Sequence, residues 1–461
     1  MSVPTMSRRT FLRRSVALGA VSAALAACAP PAPAPAPATQ SAATTAPAAP
    51  AKEPTKAAQP VKIRGTVWVS AAELDALGKL TEAYQKTTPS AQVEWINIQG
   101  GGPYGRDKLQ TMIAGGDAPD VMMLNTGQFE GLGSRGALLA LDSFVDAEKF
   151  DLGIYWPQAV SGCKYKGKLY GLPRDISNVI LYYNKDLFDK AGVKYPTADW
   201  TWNDMLAACK TLTRDNNGDG KTDQWGFAFN NIVWVWAGFV WGNGGDVLDA
   251  DRTKCLLEDP KTLEALDFYF GLITKQQVAP PPGALPQAPG SSAQMLGQST
   301  AMGLFGPWFR PSLVGMEKPF KWDVSYPPKA PKTGNRGSVV YTDHWGLYAT
   351  SKVVKDAWDF IKFLTSKDGQ TLWVKLIGAR SISPVKAVAQ TPEWLGYGGS
   401  SGQIILDCLS FSQAPPVNFG NANEAETIWN EEFGFVVAGQ KTVQQAAADA
   451  CKRLGPVLGK G

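Results

Sequence analysis

Between Ala29 and Pro60 the chain is written almost entirely in Ala, Pro, Thr, Gln and Ser, and this stretch limits what can fold on either side of it. Such a segment buries too little apolar surface to offset the entropy of ordering it. Its prolines keep it semi-extended. A tether over residues 28–60 is therefore predicted, and the roughly 400 residues beyond it suit two lobes better than one domain. Charge narrows the function classes. The four arginines Arg8, Arg9, Arg13 and Arg14 account for the whole formal excess of +4, so the body beyond them is balanced. Nucleic-acid binding, which leaves a basic stripe, has no support in such a balance. His344 is the single histidine. Zinc sites built on several histidines and Ser-His or Cys-His triads on any other histidine are excluded.

The residues before the tether read as an address. Ser7-Arg8-Arg9-Thr10-Phe11-Leu12 precedes an apolar run from Val16 to Ala27. That run is shorter than the ~20 residues a permanent membrane helix needs. A basic segment, a short apolar segment and a small-residue exit make an export signal over residues 1–27. The paired arginines resemble the twin-arginine type. Leu25-Ala26-Ala27-Cys28 resembles the bacterial lipobox, which implies lipid on Cys28. Five cysteines follow it: Cys163, Cys209, Cys255, Cys408 and Cys451. Their number is odd and none are close-spaced. One disulfide outside the cytoplasm fits them, but the spacing does not identify the partners. Cys209 falls in a helical pattern and reads as a small buried hydrophobe.

The folded body opens with strand–helix alternation. A strand over Arg64 to Val69 leads into a helix with Leu74, Leu77, Leu80 and Tyr84 on one face. A second strand, Val93 to Ile98, precedes a glycine-rich loop and a further helix. Val121 to Leu124 is an apolar run of the length of a buried parallel strand. Later helices are predicted around Leu263–Ile273, Trp358–Leu364, Thr427–Phe435 and Val443–Leu454, and a strand at His344 to Ala349. The fold class is α/β.

Landmarks in a fixed order make the class specific. They are Met112-Ile113-Ala114-Gly115-Gly116-Asp117-Ala118-Pro119-Asp120-Val121, then Tyr165-Lys166-Gly167-Lys168-Leu169-Tyr170-Gly171-Leu172-Pro173, then Leu181-Tyr182-Tyr183-Asn184-Lys185-Asp186-Leu187-Phe188. Gly306-Pro307-Trp308 and Ala357-Trp358-Asp359-Phe360-Ile361-Lys362-Phe363-Leu364 follow. In this order they resemble the bacterial extracellular solute-binding family that serves sugar ABC importers, the maltose-binding type among them. The resemblance covers nearly all of Val61 to Leu458. It implies a two-lobed periplasmic-binding-protein fold with discontinuous lobes, a hinge and a central ligand cleft. Lobe 1 would comprise 61–180 plus 338–382, and lobe 2 would comprise 181–337 plus 383–461. The crossings would lie near Asn178–Asn184, Tyr326–Ser338 and Ser381–Pro384. Hinge closure around cargo follows from such a fold.

The resemblance also implies the role: a non-enzymatic, monomeric binding component that hands a carbohydrate to an ABC permease outside the cytoplasmic membrane. All sixteen tryptophans lie after Pro60. An indole face covers the C–H face of a sugar, while Asp, Asn and Arg pair with its hydroxyls. Trp234 and Trp308 match ring-stacking positions of the family. Trp236, Trp241 and Asn243 share the segment of Trp234 and are candidates with it, although tryptophans more often serve a core. Trp68 and Ser70 end the first strand and Asn125 ends another, where ligands of open α/β sheets sit. Arg174 and Asp175 precede the first crossing, and Asp343, His344 and Trp345 follow the second. Arg380 reaches the third, where it would suit an anionic group. The positions of Ser70, Ala72 and Gly127 are charged in maltose binders, which argues against maltose itself.

Two further readings stay open. The same fold can carry a glycerol-phosphate ester, a peptide or a polyamine. A secreted glycosidase needs only paired carboxylates and stacking aromatics. No cofactor is expected, save that Asp215-Asn216-Asn217-Gly218-Asp219-Gly220-Lys221-Thr222-Asp223 matches the first half of a calcium loop. Asp215, Asn217, Asp219 and Asp223 would hold the ion, but Gly226 stands where the bidentate Glu belongs. A polar surface turn explains the same residues. Gly220-Lys221-Thr222 is no P-loop, because Asp215 occupies its first Gly position.

Overall fold

The computed structural model describes residues 60–101, 103–288, 290–416 and 422–458. The export signal, Cys28 and the tether up to residue 59 lie outside the described residues.

The first lobe is built on a mixed sheet. β1 (Val61–Val67) pairs in parallel with both β2 (Ala91–Asn97) and β3 (Val121–Leu124). The connections are α1 (Ala71–Thr87) and α2 (Arg106–Ala114). α1 starts where Ser70 caps it. The Ser70 oxygen accepts from Glu73 N–H, and the Glu73 carboxylate accepts from Ser70 N–H, so two otherwise orphan amides are satisfied. Its inward stripe is Ala76, Leu77, Leu80 and Tyr84, three or four residues apart. β3 ends at Asn125, and α3 (Thr126–Ser134) follows directly.

β4 (Gly171–Asn178) belongs to the first sheet. After Val179 the chain enters β5 (Ile180–Asn184), which belongs to a second sheet. That sheet runs in the order β8-β5-β7-β6, with β6 at Trp225–Ala228, β7 at Thr300–Phe305 and β8 at Trp322–Ser325. Around it pack α4 (Val233–Gly242), α5 (Pro260–Thr274) and two helices from the end of the chain described below. The chain returns over residues 326–337 into β9 (Ser338–Leu347), which is antiparallel to both β3 and β4. α6 (Val354–Thr365) and α7 (Lys367–Ile377) pack on the first lobe beside α1. The third passage follows α7, where Ile382 exchanges both backbone hydrogen bonds with Ile176 of β4. β10 (Ser412–Gln413) adds a short parallel pairing to the start of β9. α8 (Ala422–Val437) and α9 (Val443–Leu458) complete the second lobe.

Each lobe has its own core. Ile63, Val67, Trp345, Trp358 and Phe360 centre the first, and Phe227, Trp236, Tyr269 and Trp429 the second. A third cluster holds Ile176, Ile180, Tyr182 and Ile382, so apolar packing also fixes the passages between the lobes. The middle passage is held backbone to backbone. A Cβ on Gly337 would lie 2.5 Å from the Gly238 carbonyl of α4. Only glycine permits that approach.

Cys255 and Cys451 form a disulfide within the second lobe, 196 residues apart in sequence. Cys163, Cys209 and Cys408 are free and buried.

Candidate functional site

The first lobe contributes two aromatic rings where strands end. Trp68 follows β1, and Tyr104 stands in the turn before α2, with 4.9 Å between ring centroids. Tyr104 is 51% exposed, yet burial is the first cause raising its phenol, with the Glu426 carboxylate next.

The second lobe contributes Trp234, in the first turn of α4, and Trp308, just after β7. Their ring centroids are 5.6 Å apart and nearly perpendicular. Tyr341 of β9 lies 6.1 Å from Trp234. Trp234 also lines a crevice with Val179, Pro327, Pro328 and Ser338, all from the connecting passages. Trp308 folds back over Gly306, where a Cβ would meet its ring at 1.9 Å. Burial raises the Tyr341 phenol strongly, and Glu426 of α8 and Tyr104 add to it. Glu426 is itself raised by burial, offset by Arg106. The Glu426 carboxylate of α8 is thus an electrostatic neighbour of both Tyr104 and Tyr341.

The first lobe also holds a charge cluster. Arg174 is 2% exposed. Its guanidinium bonds the Asp175 carboxylate and lies 3.6 Å from Glu73 and 3.7 Å from Asp343. It also stacks over Trp373 at 5.2 Å. Arg380 pairs with the same Glu73 oxygen, Oε1. Asp343 is pushed up to about 7, first by burial and then by the Asp175 carboxylate, with Arg174 and Arg380 opposing.

Of the sequence candidates, Trp68 pairs with Tyr104, Ser70 and Arg380 with Glu73, Arg174 with Asp175 and Asp343, and Trp234 with Trp308; the others have different neighbours. Trp236 is fully buried, 5.3 Å from Phe433 in the second core. Trp241 donates its indole N–H to Asp246 at 2.9 Å. Asn243 donates to the Lys261 carbonyl and to Glu264. Helical period explains Trp236: 234, 238 and 241 share one face of α4, while 236 and 240 point inward. On β9 the period is two. Tyr341 and Asp343 share the partly open face, and His344 points into the core. The His344 ring packs 4.5 Å from Phe129, its Nδ1 is 3.1 Å from the Cys163 sulfur, and burial pulls it down to about 3. Trp345 lies deeper, against Trp95 at 5.6 Å. Asn125 caps α3, accepting from Gln128 N–H at 2.9 Å. Arg380 is committed to Glu73, so its charge does not await an anionic cargo.

The loop read as a possible calcium site is closed on itself by hydrogen bonds. Asp215 accepts from the amides of Asn217, Gly218 and Gly220, Asp219 from Lys221, and Asp223 from Asn216. The oxygens a cation needs are turned to the loop's own backbone. Among the described residues no three His, Cys, Asp or Glu side chains are grouped to hold a metal.

Sequence reasoning missed Glu73, Tyr104, Tyr341 and Glu426. Ser70 with Glu73 is a capping-box spacing and was readable as such. No local signal marks the other three, because what gathers them is tertiary.

Residues 70–371 match the profile of the bacterial extracellular solute-binding protein family. A putative binding protein of Brucella abortus is 30% identical over 263 residues, 57% of this chain and 62% of that protein. The match thus spans less than two thirds of that relative's length. The diacetylchitobiose-binding protein DasA of Streptomyces coelicolor is 28% identical over 200 residues, 42% of each chain. Among solved structures, the ABC substrate-binding protein Lmo0181 of Listeria monocytogenes in complex with cycloalternan superposes with a TM-score of 0.76. Identity is 29%, with 86% of this chain and 99% of that one covered.

Proposed function

The chain belongs to the bacterial extracellular solute-binding protein family, and from that membership we propose that it captures a neutral oligosaccharide between its lobes and delivers it to an ABC permease. The observation that carries the reading is the set of aromatic rings supplied from both sides. Trp68 and Tyr104 come from the first lobe and Trp234 and Trp308 from the second, with Tyr341 and the Glu426 carboxylate between them. Rings of this kind take the C–H faces of sugar residues, and Asp343 and Glu426 accept their hydroxyls. Arg174 and Arg380 are each paired with a carboxylate, which disfavours an anionic cargo at their positions. Relatives that bind diacetylchitobiose and cycloalternan support the class of ligand.

The lobes in this reading are 61–180 with 338–382, and 181–337 with 383–461. Cargo stabilises the closed arrangement through its differential affinity for the two states. The protein works outside the cytoplasm, anchored by lipid on Cys28 and directed there by the twin-arginine segment. The Cys255–Cys451 disulfide supports an oxidising compartment. Among the described residues no helix is long and apolar enough to cross a membrane. The reading assigns no bond-breaking step and needs no cofactor.

A thermal-shift screen against malto-oligosaccharides, chito-oligosaccharides, glycerol phosphates and polyamines tests the proposal, because a ligand of the native state raises the melting temperature. A neutral oligosaccharide should give the largest rise. A polyamine or a phosphate ester giving it instead would overturn the reading, and release of free sugar during incubation would favour the glycosidase.

A further inference from the structure

We infer that Arg310 is a positioning residue for cargo: it fixes the turn that carries Trp308 and ties that turn to the third passage between the lobes. Arg310 opens a short helix, Arg310–Val314, two residues after Trp308. Its side chain is fully buried. One guanidinium nitrogen, Nη2, donates to the Trp394 carbonyl at 2.9 Å and to the Tyr397 carbonyl at 3.1 Å. The guanidinium carbon lies 4.9 Å from the centre of the Trp394 ring and 5.2 Å from that of Tyr397.

Three observations point to aim, not stability, as its role. The first is cost. Among the described residues no carboxylate pairs with Arg310, and its Nε and Nη1 have no hydrogen-bond partner. Burial pulls the guanidinium down to about 10, with the Tyr182 and Tyr397 hydroxyls opposing. A buried cation without a counter-charge costs stability that an apolar side chain of similar size would not. The second is the mount. The turn is held at three points around Trp308. The Tyr182 hydroxyl of β5 donates to the Gly306 carbonyl at 3.1 Å. Phe309 is buried and stacks on Phe305 at 4.2 Å. Arg310 is the third point. Trp308 itself is partly exposed, so it is the side chain this turn presents. The third is the path. The Trp394 indole N–H donates to the Ser381 carbonyl at 2.8 Å. Ser381 adjoins Ile382, whose backbone pairs with Ile176 of β4 in the first sheet. Through Arg310 and Trp394 the Trp308 turn is thus bonded to the third passage.

A ring contact is worth most when the ring is already aimed. Loosening the turn lets Trp308 take orientations that do not face cargo, and binding must then supply the order that the mount had supplied. Arg310 is too deeply buried to touch cargo itself, so it acts through Trp308.

This role rests on the proposed oligosaccharide site. Calorimetric titration of the full chain with malto- and chito-oligosaccharides tests it, on wild type, Arg310→Met, Trp308→Ala and the double variant. Arg310→Met should weaken binding about tenfold. It should nevertheless melt near the wild-type temperature, because relief of the buried charge offsets the two lost hydrogen bonds. In the Trp308→Ala background it should cost no further affinity, since no ring is left to position. Wild-type affinity in Arg310→Met overturns the role. So do losses that multiply in the double variant, which would make Arg310 a structural residue independent of Trp308. Should Arg310→Met not fold, Arg310→Lys decides by the same cycle. Lysine is shorter and lacks the planar group that stacks on the two rings, so its loss of affinity should again vanish without Trp308. A wild-type chain that binds neither class of sugar overturns the proposed function and this role with it, whereas binding that Arg310→Met leaves unchanged overturns this role alone.

Discussion

Asp343 shows how a single residue can link the site to stability. Its carboxyl is held near 7 in the folded chain against an ordinary value of 3.8, with burial the leading cause. Between about pH 4 and 7 the folded state keeps a proton that the unfolded state releases. Stability from this group is thus highest at low pH, falls as pH rises through that window, and is flat above it. Asp343→Asn removes the penalty. Its melting temperature should match wild type near pH 4 and exceed it at pH 8. An equal loss at both pH values would show that the carboxylate is structural. Glu130→Gln should shift stability in the same direction, since Glu130 is raised to about 7 by the same cause. At this scale the sequence was half legible. Trp234 and Trp308 could be picked out by their motifs. Trp236 and Trp241 carry the same chemistry; helix phase turns Trp236 to Phe433, while Trp241 stays in phase with Trp234 two turns further on and is bonded to Asp246.

Elements aim these side chains, and their constraints are often backbone constraints. The turn after β7 positions the Trp308 ring against Gly306, with no room for a methyl group. Gly306→Ala should push the ring aside and weaken cargo binding by about 1–3 kcal/mol, the range expected when a large apolar contact is lost. The fold should survive, because the Trp308 ring is partly exposed and is not needed to close a core. Affinity unchanged in this variant would mean that Trp308 does not touch cargo. The strand over 121–124 was read to the residue, since an apolar run between Asp120 and Asn125 has one sensible reading. The gathering of Tyr104, Tyr341 and Glu426 was invisible, because it depends on how β9 and α8 approach the turn before α2.

Over the whole molecule, three passages and one cross-link set what can move. The disulfide joins two parts of the second lobe 196 residues apart in sequence, and the loop it closes includes β9, α6 and α7 of the first lobe. Reduction should lower stability by about 2–5 kcal/mol, read as a fall in melting temperature. Its partners were not deducible from five cysteines at irregular spacing, whereas the two-lobed class was, because five landmarks in order constrain far more than any one. The account as a whole claims that cargo is gripped from both lobes at once. Isothermal titration calorimetry with the oligosaccharide that raises the melting temperature most, on wild type, Trp68→Ala and Trp234→Ala, tests this directly. Both variants should lose affinity by about 1–3 kcal/mol with their folds intact. Wild-type affinity in both variants would contradict the claim.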